Sequence, residues 1–436
     1  MKISRYNILI PHNKAIFIYN TLWNTLLVIK EEDRKKWGIE DIIKHNLPTI
    51  NEERINVFEK KKIIIPDNVD EISIVKNKLM HTIQDDTKFS MIIIPTLSCN
   101  FRCWYCYENH EHKKMMDEVD IKKIIELTKK IIHSNKRIEV FDLQFFGGEP
   151  MLGFNKVIKP ILVSIKSILD ENKIKMTVGL TTNGYLFNKE KIIFLRKHNL
   201  ENLQITLDGN KKRHNNVRYS YRGENTFDII INNIKLAISN EVIVTVRLNI
   251  SEETNLNVNE FLDPFRCINY ENRKKLFFSI QKVWQAPEYL EDKIIHIVEE
   301  IRNNGFMCAS YYSSPSSIWN TCYSDKQNQI TINPEGKIYK CTARDFDKQD
   351  IEGVLKENGD VEWEKRYYKR MLVSPLDNKE CQECSIFPIC IGGCSQKRIE
   401  SSNNAKCILS KTSEDKIIYA KKVLAEKIYI KKMNFV

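Results

Sequence analysis

The chain has no uninterrupted apolar run approaching the roughly 18 residues that a membrane-spanning helix needs. The longest runs, such as Ile63–Ile65 and Met91–Ile94, are strand-sized. The opening MKISRYNILIPHNK lacks the apolar stretch of a secretory signal, so a cytoplasmic location without a membrane partner is expected. There is no internal repeat and no low-complexity linker. No cysteine occurs in the first 98 residues. A disordered chain is excluded by composition, since 42% of the 436 residues are hydrophobic and 29% are charged. That length supports a large core and more than one ordinary domain.

Lys and Arg exceed Asp and Glu by 68 to 57, a formal charge of +11. Such a balance suits nucleic acid or an acidic peptide, but Lys is spread over the whole chain, as on solvated helix faces. The twelve cysteines are more informative. Without a secretory signal they point to metal or redox chemistry rather than disulfides. Three fall within Cys99–Cys106 and seven between Cys322 and Cys407.

The first 85 residues read as a small α+β unit. Tyr6–Ile10 and Ala15–Tyr19 are expected strands around the turn Pro11–Lys14. Helices are expected over Thr21–Lys30, Ile39–His45, Asn51–Glu59 and Val69–Gln84, with a short strand at Ile63–Ile65. From Met91 strands alternate with helices. The expected strands are Met91–Pro95, Val140–Phe145, Lys175–Leu180, Leu203–Leu207, Val242–Leu248 and Leu276–Val283. Val119–Ile132 and Phe227–Ile238 carry helical periodicity. Six strand–helix units predict an α/β fold with a parallel sheet curled as all or part of a barrel, its chemistry on the loops after the strands. After about residue 305 the alternation stops. Short strands (Gln329–Ile332, Lys337–Lys340) sit among turns and cysteines, in a region with too little apolar periodicity to hold itself without metal.

After the first barrel strand comes Cys99-Asn-Phe-Arg-Cys103-Trp-Tyr-Cys106. A [4Fe–4S] cluster takes four ligands, so three thiolates would leave one iron open. Structural zinc wants a fourth Cys or His, and His110 or His112 would serve. Gly147-Gly148-Glu149-Pro150 follows the second strand, Thr181-Thr182-Asn183-Gly184 the third and Leu207-Asp208-Gly209 the fourth. Arg247 and Asn249 end the fifth.

With these motifs in this order, the sequence resembles the radical S-adenosylmethionine (SAM) enzymes, whose fold is a partial (β/α)6 TIM-like barrel. The resemblance implies that Cys99, Cys103 and Cys106 hold a [4Fe–4S] cluster and that Gly147, Gly148, Glu149 and Pro150 receive the amino group of SAM. Glycines let a backbone approach closely, and a carboxylate suits an ammonium. Thr182, Asn183, Asp208 and Asn249 belong to the same cofactor-binding set. Arg247 suits the SAM carboxylate or a structural ion pair. Tyr105 sits where family members contact the adenine, and simple packing under the loop is its other reading. At His214-Asn215-Asn216-Val217-Arg218 the sequence departs from the His-Asp common in relatives, and His214 reads as structural. The implied chemistry is reductive cleavage of SAM to a 5′-deoxyadenosyl radical that abstracts hydrogen from a substrate carbon.

Cys322, thirteen residues, Gly336, four residues and Cys341 are followed by Cys381-x2-Cys384-x5-Cys390-x3-Cys394 and, twelve residues later, Cys407. This spacing resembles the SPASM domain with its two auxiliary [4Fe–4S] clusters, making three clusters in all; a zinc ribbon is the other reading. By that resemblance Cys322, Cys341 and Cys394 hold the first auxiliary cluster, and Cys381, Cys384, Cys390 and Cys407 the second. Gly392-Gly393 permits a tight turn between ligands. An eighth ligand would be Cys308, or the first cluster keeps an open iron. Cys267, ending an apolar helix, reads as a core thiol.

Three domains are expected: 1–85, resembling the PqqD-like peptide-recognition domain, where a leader peptide adds as a strand; 86–304, the radical SAM core; and 305–436, the SPASM domain and a C-terminal helix. The resemblance implies an enzyme that installs a thioether, carbon–carbon or carbon–oxygen cross-link, or a related modification, in a ribosomally made precursor peptide. Its partners would be that peptide with its leader and an electron donor such as flavodoxin or ferredoxin. A second reading is a sulfatase maturase that makes formylglycine; such enzymes carry Asp after the cysteine of the G-x4-C segment, where this chain has Thr342, with Asp345 off register. A third, a non-catalytic metal-ribbon protein binding nucleic acid, leaves the ordered barrel motifs without a purpose. No general base is assigned.

Overall fold

The computed structural model describes residues 1–110, 114–283, 285–286, 290–310, 316–401, 407, 409 and 411–433. The chain divides into two compact units. One joins residues 1–85 to 312–327 and 369–436; the other joins 86–311 to 328–368. These units differ from three consecutive domains. Apolar burial explains the difference: Ile8, Ile10 and Tyr19 share a core with Ile386, Ile389, Val423 and Leu424, and Tyr6, Leu22, Val75 and Leu79 share one with Ile318, Cys381 and Phe387. The first 85 residues bury their hydrophobic faces against later segments rather than against each other alone.

In the first unit, β1 (Lys2–Ile3) pairs antiparallel with β5 (Ile64–Ile65). β2 (Asn7–His12), β3 (Ala15–Asn20) and β4 (Thr25–Lys30) form an antiparallel meander. β4 replaces the expected helix over Thr21–Lys30. The Asn20 side-chain oxygen accepts the N–H groups of Leu22 and Trp23, and Asn24 turns left-handed at φ +52°. That tight turn reverses the chain, and Leu26–Ile29 then pair with Ile16–Tyr19. Helices follow at Ile39–Ile43, Glu52–Lys60 and Glu71–Ile83, near their expected places, and a helix over Ser413–Met433 belongs to the same unit.

The second unit is built on one sheet. β6 (Lys88–Ile93), β7 (Val140–Phe145), β8 (Lys175–Thr182), β9 (Leu200–Leu207), β10 (Ile243–Ile250), β11 (Leu276–Lys282) and β12 (Met307–Ser310) lie side by side in chain order, all parallel. β12 is a seventh parallel strand beyond the six expected. β13 (Gln329–Ile332) adds parallel to the outer edge of β6, and β14 (Lys337–Tyr339), β15 (Gly353–Leu355) and β16 (Val361–Trp363) continue antiparallel. Helices such as Glu118–Ser134 and Phe227–Ser239 cross between consecutive strands. Asp117 starts the first of these with a capping box shared with Asp120.

The strands alternate. Phe141, Leu143 and Phe145 of β7 and Val244, Val246 and Leu248 of β10 are buried in the core shared with the helices. Asp142, Gln144, Thr245 and Arg247 occupy the opposite face and are half-buried. One face of the sheet is therefore apolar and the other polar, and the loops after the strands extend from a surface open to polar ligands. Among the described residues no helix is long and apolar enough to cross a membrane.

Candidate functional site

The loop after β6 carries Cys99, Cys103 and Cys106, and other loops hold it from several sides. The Asn183 side-chain amide, after β8, donates to the Asn100 side-chain oxygen at 2.8 Å. The Tyr221 N–H donates to the Asn100 carbonyl at 2.9 Å. The Tyr105 hydroxyl donates to the Asp208 carboxylate, after β9, at 2.6 Å. The Gln285 amide reaches the Tyr105 carbonyl at 3.0 Å. Tyr107 donates to the Thr342 carbonyl at 2.9 Å. Phe101 is buried edge-on to Tyr185.

The GGEP turn packs directly against this loop. Glu149 N–H donates to the Ser98 carbonyl at 2.9 Å and Gly148 N–H to the Thr96 carbonyl at 3.3 Å. A Cβ on Gly148 would lie 2.3 Å from the Leu97 carbonyl oxygen and 2.4 Å from that of Ser98. The glycine thus serves an approach between two protein backbones. Glu149 is fully buried. One oxygen accepts from Met151 N–H at 2.9 Å and from the Thr182 hydroxyl at 2.8 Å; the other accepts from Asn183 N–H at 2.7 Å. Burial pushes the Glu149 carboxyl up, and these three donors pull it back.

Burial dominates the thiols. It raises Cys99 and Cys103 and pushes Cys106 up to about 11. The guanidinium of Arg218 opposes the rise at all three. Arg218 is itself buried, donates to the Tyr105 hydroxyl at 2.9 Å, and lies 5.6 Å from the Phe101 ring centroid. Its Nε is 3.6 Å from the Asp208 carboxylate and has no hydrogen-bond partner. His214 is buried and pushed well below the usual imidazole value by desolvation. It takes the Asp208 N–H at 3.3 Å and contacts the Thr226 hydroxyl at 3.1 Å, a structural bridge rather than an open base.

Arg247 and Asn249 meet on β10, with Arg247 Nε donating to the Asn249 side-chain oxygen at 2.9 Å. Arg247 lies on the same half-buried face of β10 as Thr245, opposite the buried Val246 and Leu248. His110 lies beside Cys106, with Nε2 3.2 Å from the sulfur and Nδ1 2.8 Å from the Leu97 carbonyl. His112 lies outside the described residues. Glu108 is buried with one oxygen unpartnered, and desolvation together with Asp345 raises its carboxyl to about 8. The residues that sequence reasoning missed are Asn100, Phe101, Glu108 and Arg218. Only position within a motif segment signals them, because their partners lie far along the chain.

The second cysteine field divides. Cys381, Cys384, Cys390 and Cys407 line one cavity with the apolar walls Ile386 and Phe387. Burial first, then the neighbouring sulfurs, push Cys381 up to about 12 and Cys390 up to about 11. The chain between Cys390 and Cys394 turns through three left-handed residues, Ile391, Gly392 and Gly393. A Cβ on Gly392 would sit 2.8 Å from Pro375 and 3.4 Å from the Cys381 sulfur. Cys322 and Cys394 lie in the same compact unit; burial raises the Cys322 thiol, with smaller contributions from Asp325 and Cys394. Cys341 follows β14 in the other unit. Cys308 is wholly buried on β12, in the core shared with the helices. Cys267 is exposed, not a core thiol, because its helix turns Phe261, Leu262 and Phe265 inward and ends with Cys267 on the outer side. Among the described residues no three His, Cys, Asp or Glu converge on a single ion.

Residues 93–263 match the Radical SAM superfamily. The chain carries a radical SAM domain. Over 375 residues the protein is 22% identical to the radical SAM cyclopropyl synthase TigE of Paramaledivibacter caminithermalis, covering 78% of this chain and 75% of that protein. It is also 22% identical over 334 residues to a cysteine-type anaerobic sulfatase-maturating enzyme of Clostridium novyi, covering 71% and 88%. Streptococcus suis SuiB bound to S-adenosylmethionine superposes with a TM-score of 0.54 at 15% identity, covering 94% of this chain and all of that one. The sulfatase-maturating enzyme anSMEcpe with bound AdoMet gives 0.57 at 19% identity, covering 80% and 95%. These likenesses establish a shared radical SAM fold.

Proposed function

We propose that the protein is a radical SAM peptide maturase that installs a cross-link or related modification in a ribosomally made precursor. The observation that carries this reading is likeness to SuiB over 94% of the chain, SuiB having also been solved with its precursor peptide SuiA at a TM-score of 0.51. Residues 1–85 take the leader in this reading, with the meander β2–β4 as the candidate edge for an added strand.

The residues present fit the cofactors. Three thiols on one braced loop match a cluster with one iron left for SAM, and four cysteines around one cavity match a fully protein-held cluster. Cys99, Cys103 and Cys106 would hold the first and Cys381, Cys384, Cys390 and Cys407 another. Cys322 and Cys394 are the remaining cysteines of the unit that carries this second set, and Cys308 is buried in the core of the other unit. Bound there, SAM and its cluster would supply a 5′-deoxyadenosyl radical for hydrogen abstraction, with flavodoxin or ferredoxin as electron donor. Arg247, oriented by Asn249, presents its outer nitrogens to the SAM carboxylate. Tyr105 holds its ring by the bond to Asp208 and offers it to the adenine. Glu149 spends its carboxylate on Met151, Thr182 and Asn183, so it shapes the turn of Gly147, Gly148 and Pro150 that receives the amino group.

A sulfatase-maturase-like reading is supported by the likeness to the Clostridium novyi enzyme and to anSMEcpe, and by one feature of the site. Asp345, though off register, acts on Glu108 and His110, beside the first cysteine loop. The reconstituted protein with SAM, reductant and a candidate precursor decides between them. A maturase yields 5′-deoxyadenosine and a peptide lighter by two hydrogens. A formylglycine-forming enzyme yields an aldehyde that captures a hydrazide probe. Absence of 5′-deoxyadenosine would sink both.

A further inference from the structure

Arg218 is at odds with the way a guanidinium is normally buried. A buried Arg–carboxylate pair is stable when the two groups meet face to face with parallel hydrogen bonds. Here Asp208 is 3.6 Å from Nε without a hydrogen bond, and Nε is left unpartnered. Nη1 donates instead to a neutral phenol, Tyr105, whose own hydroxyl proton goes to Asp208. The positive charge is only partly compensated by the protein around it, an arrangement that costs stability unless something negative completes it.

What lies nearby is the cysteine loop. Phe101 and Tyr105, the two residues that enclose the guanidinium, stand between Cys99 and Cys106. Arg218 is set against that loop twice, by its hydrogen bond to Tyr105 at 2.9 Å and by its place over the Phe101 ring at 5.6 Å. Arg218 acts on Cys103 more strongly than Asp208 does. We propose that Arg218 is a positioning residue that sets the reduction potential of the cluster held by Cys99, Cys103 and Cys106, its charge stabilising the extra electron. The inference rests on the cluster assignment above. Adding one electron adds one negative charge, and in a buried, poorly screened setting a fixed cation favours that state. Burying the cation behind Phe101 keeps it out of bulk water, where its effect would be screened.

The test is an anaerobic redox titration of the reconstituted full-length protein without SAM, followed by electron paramagnetic resonance. The SAM-binding cluster is picked out by the change in its signal when SAM is then added. Arg218→Gln should make that cluster about tenfold harder to reduce, 59 mV more negative for a one-electron couple. Arg218→Lys keeps the charge and should stay near wild type. Asp208→Asn removes the opposing carboxylate and should move the potential the other way. Tyr105→Phe breaks the hydrogen-bond chain without changing charge and should leave the potential in place. If Arg218→Gln takes up no iron, Asp208→Asn decides alone. An unmoved or more negative potential in Asp208→Asn, or a Tyr105→Phe shift as large as that of Arg218→Gln, overturns the proposal. A wild-type protein in which no cluster signal responds to SAM defeats the cluster assignment instead.

Discussion

The carboxylate of Glu149 accepts the backbone N–H of Asn183 at 2.7 Å, so one buried anion joins the turn after β7 to the loop after β8. Glu149→Gln keeps the size but points an N–H₂ at one of three donors. An unpaired buried donor costs about 1–3 kcal/mol. Thermal unfolding of the metal-free protein should show that loss before any cofactor is added. An unchanged melting temperature would mean the carboxylate is not structural.

Gly148→Ala should act on the cysteine loop rather than on the fold. Its Cβ would meet the Leu97 and Ser98 carbonyls at 2.3 and 2.4 Å, and those are backbone atoms that cannot rotate away. The expected outcome is a circular dichroism spectrum like wild type and a loss of about four iron atoms per chain, one cluster's worth. Iron analysis after reconstitution checks it.

Cys308→Ala should leave iron content and cluster spectra unchanged, because the side chain lies in the core shared by the sheet and its helices. The truncation of a buried side chain should lower stability by about 1 kcal/mol. Loss of iron would instead make Cys308 the eighth ligand.

Lys427 gives a pH signature. Its ammonium donates to the Tyr19 hydroxyl and the Asn24 side chain, each at 2.9 Å, and burial lowers it to about 8. An exposed lysine titrates near about 10.4. Between these values the unfolded chain binds more protons than the folded one, so stability rises as pH increases through the window; below it both states are charged and the cost is constant. Urea unfolding of the metal-free protein at about pH 7 and about pH 9.5 should show the rise, and Lys427→Met should remove it.

The sequence was most legible where periodicity and motif spacing act locally. The parallel strands from Val140 to Leu276 lie where alternation of apolar residues puts them, and the helices Glu118–Ser134 and Phe227–Ser239 match their apolar spacing. β4 was not legible because a run such as Leu26–Ile29 fits a helix or a strand equally, and the deciding feature was the turn at Asn20 and Asn24. β12 was hidden by its length of four residues. At the site, Cys99, Cys103, Cys106 and the GGEP turn announce themselves, whereas Arg218 and Phe101 do not. Arg218 matters through Tyr105, 113 positions earlier, and no local pattern encodes a contact over that separation.

The unit that carries Cys381, Cys384, Cys390 and Cys407 also contains residues 1–85. During synthesis the first of these segments must wait, its apolar faces uncovered, until residues 369–433 have left the ribosome. The strands β6 to β12 are contiguous and need no such delay. The parallel sheet of the radical SAM domain can therefore form while the chain is still growing, whereas the four-cysteine cavity forms only after Cys407 has been made. Cluster assembly in the two regions, on the function proposed above, would be separated in time, and a product truncated before Cys381 would carry the first cysteine loop without the four-cysteine cavity.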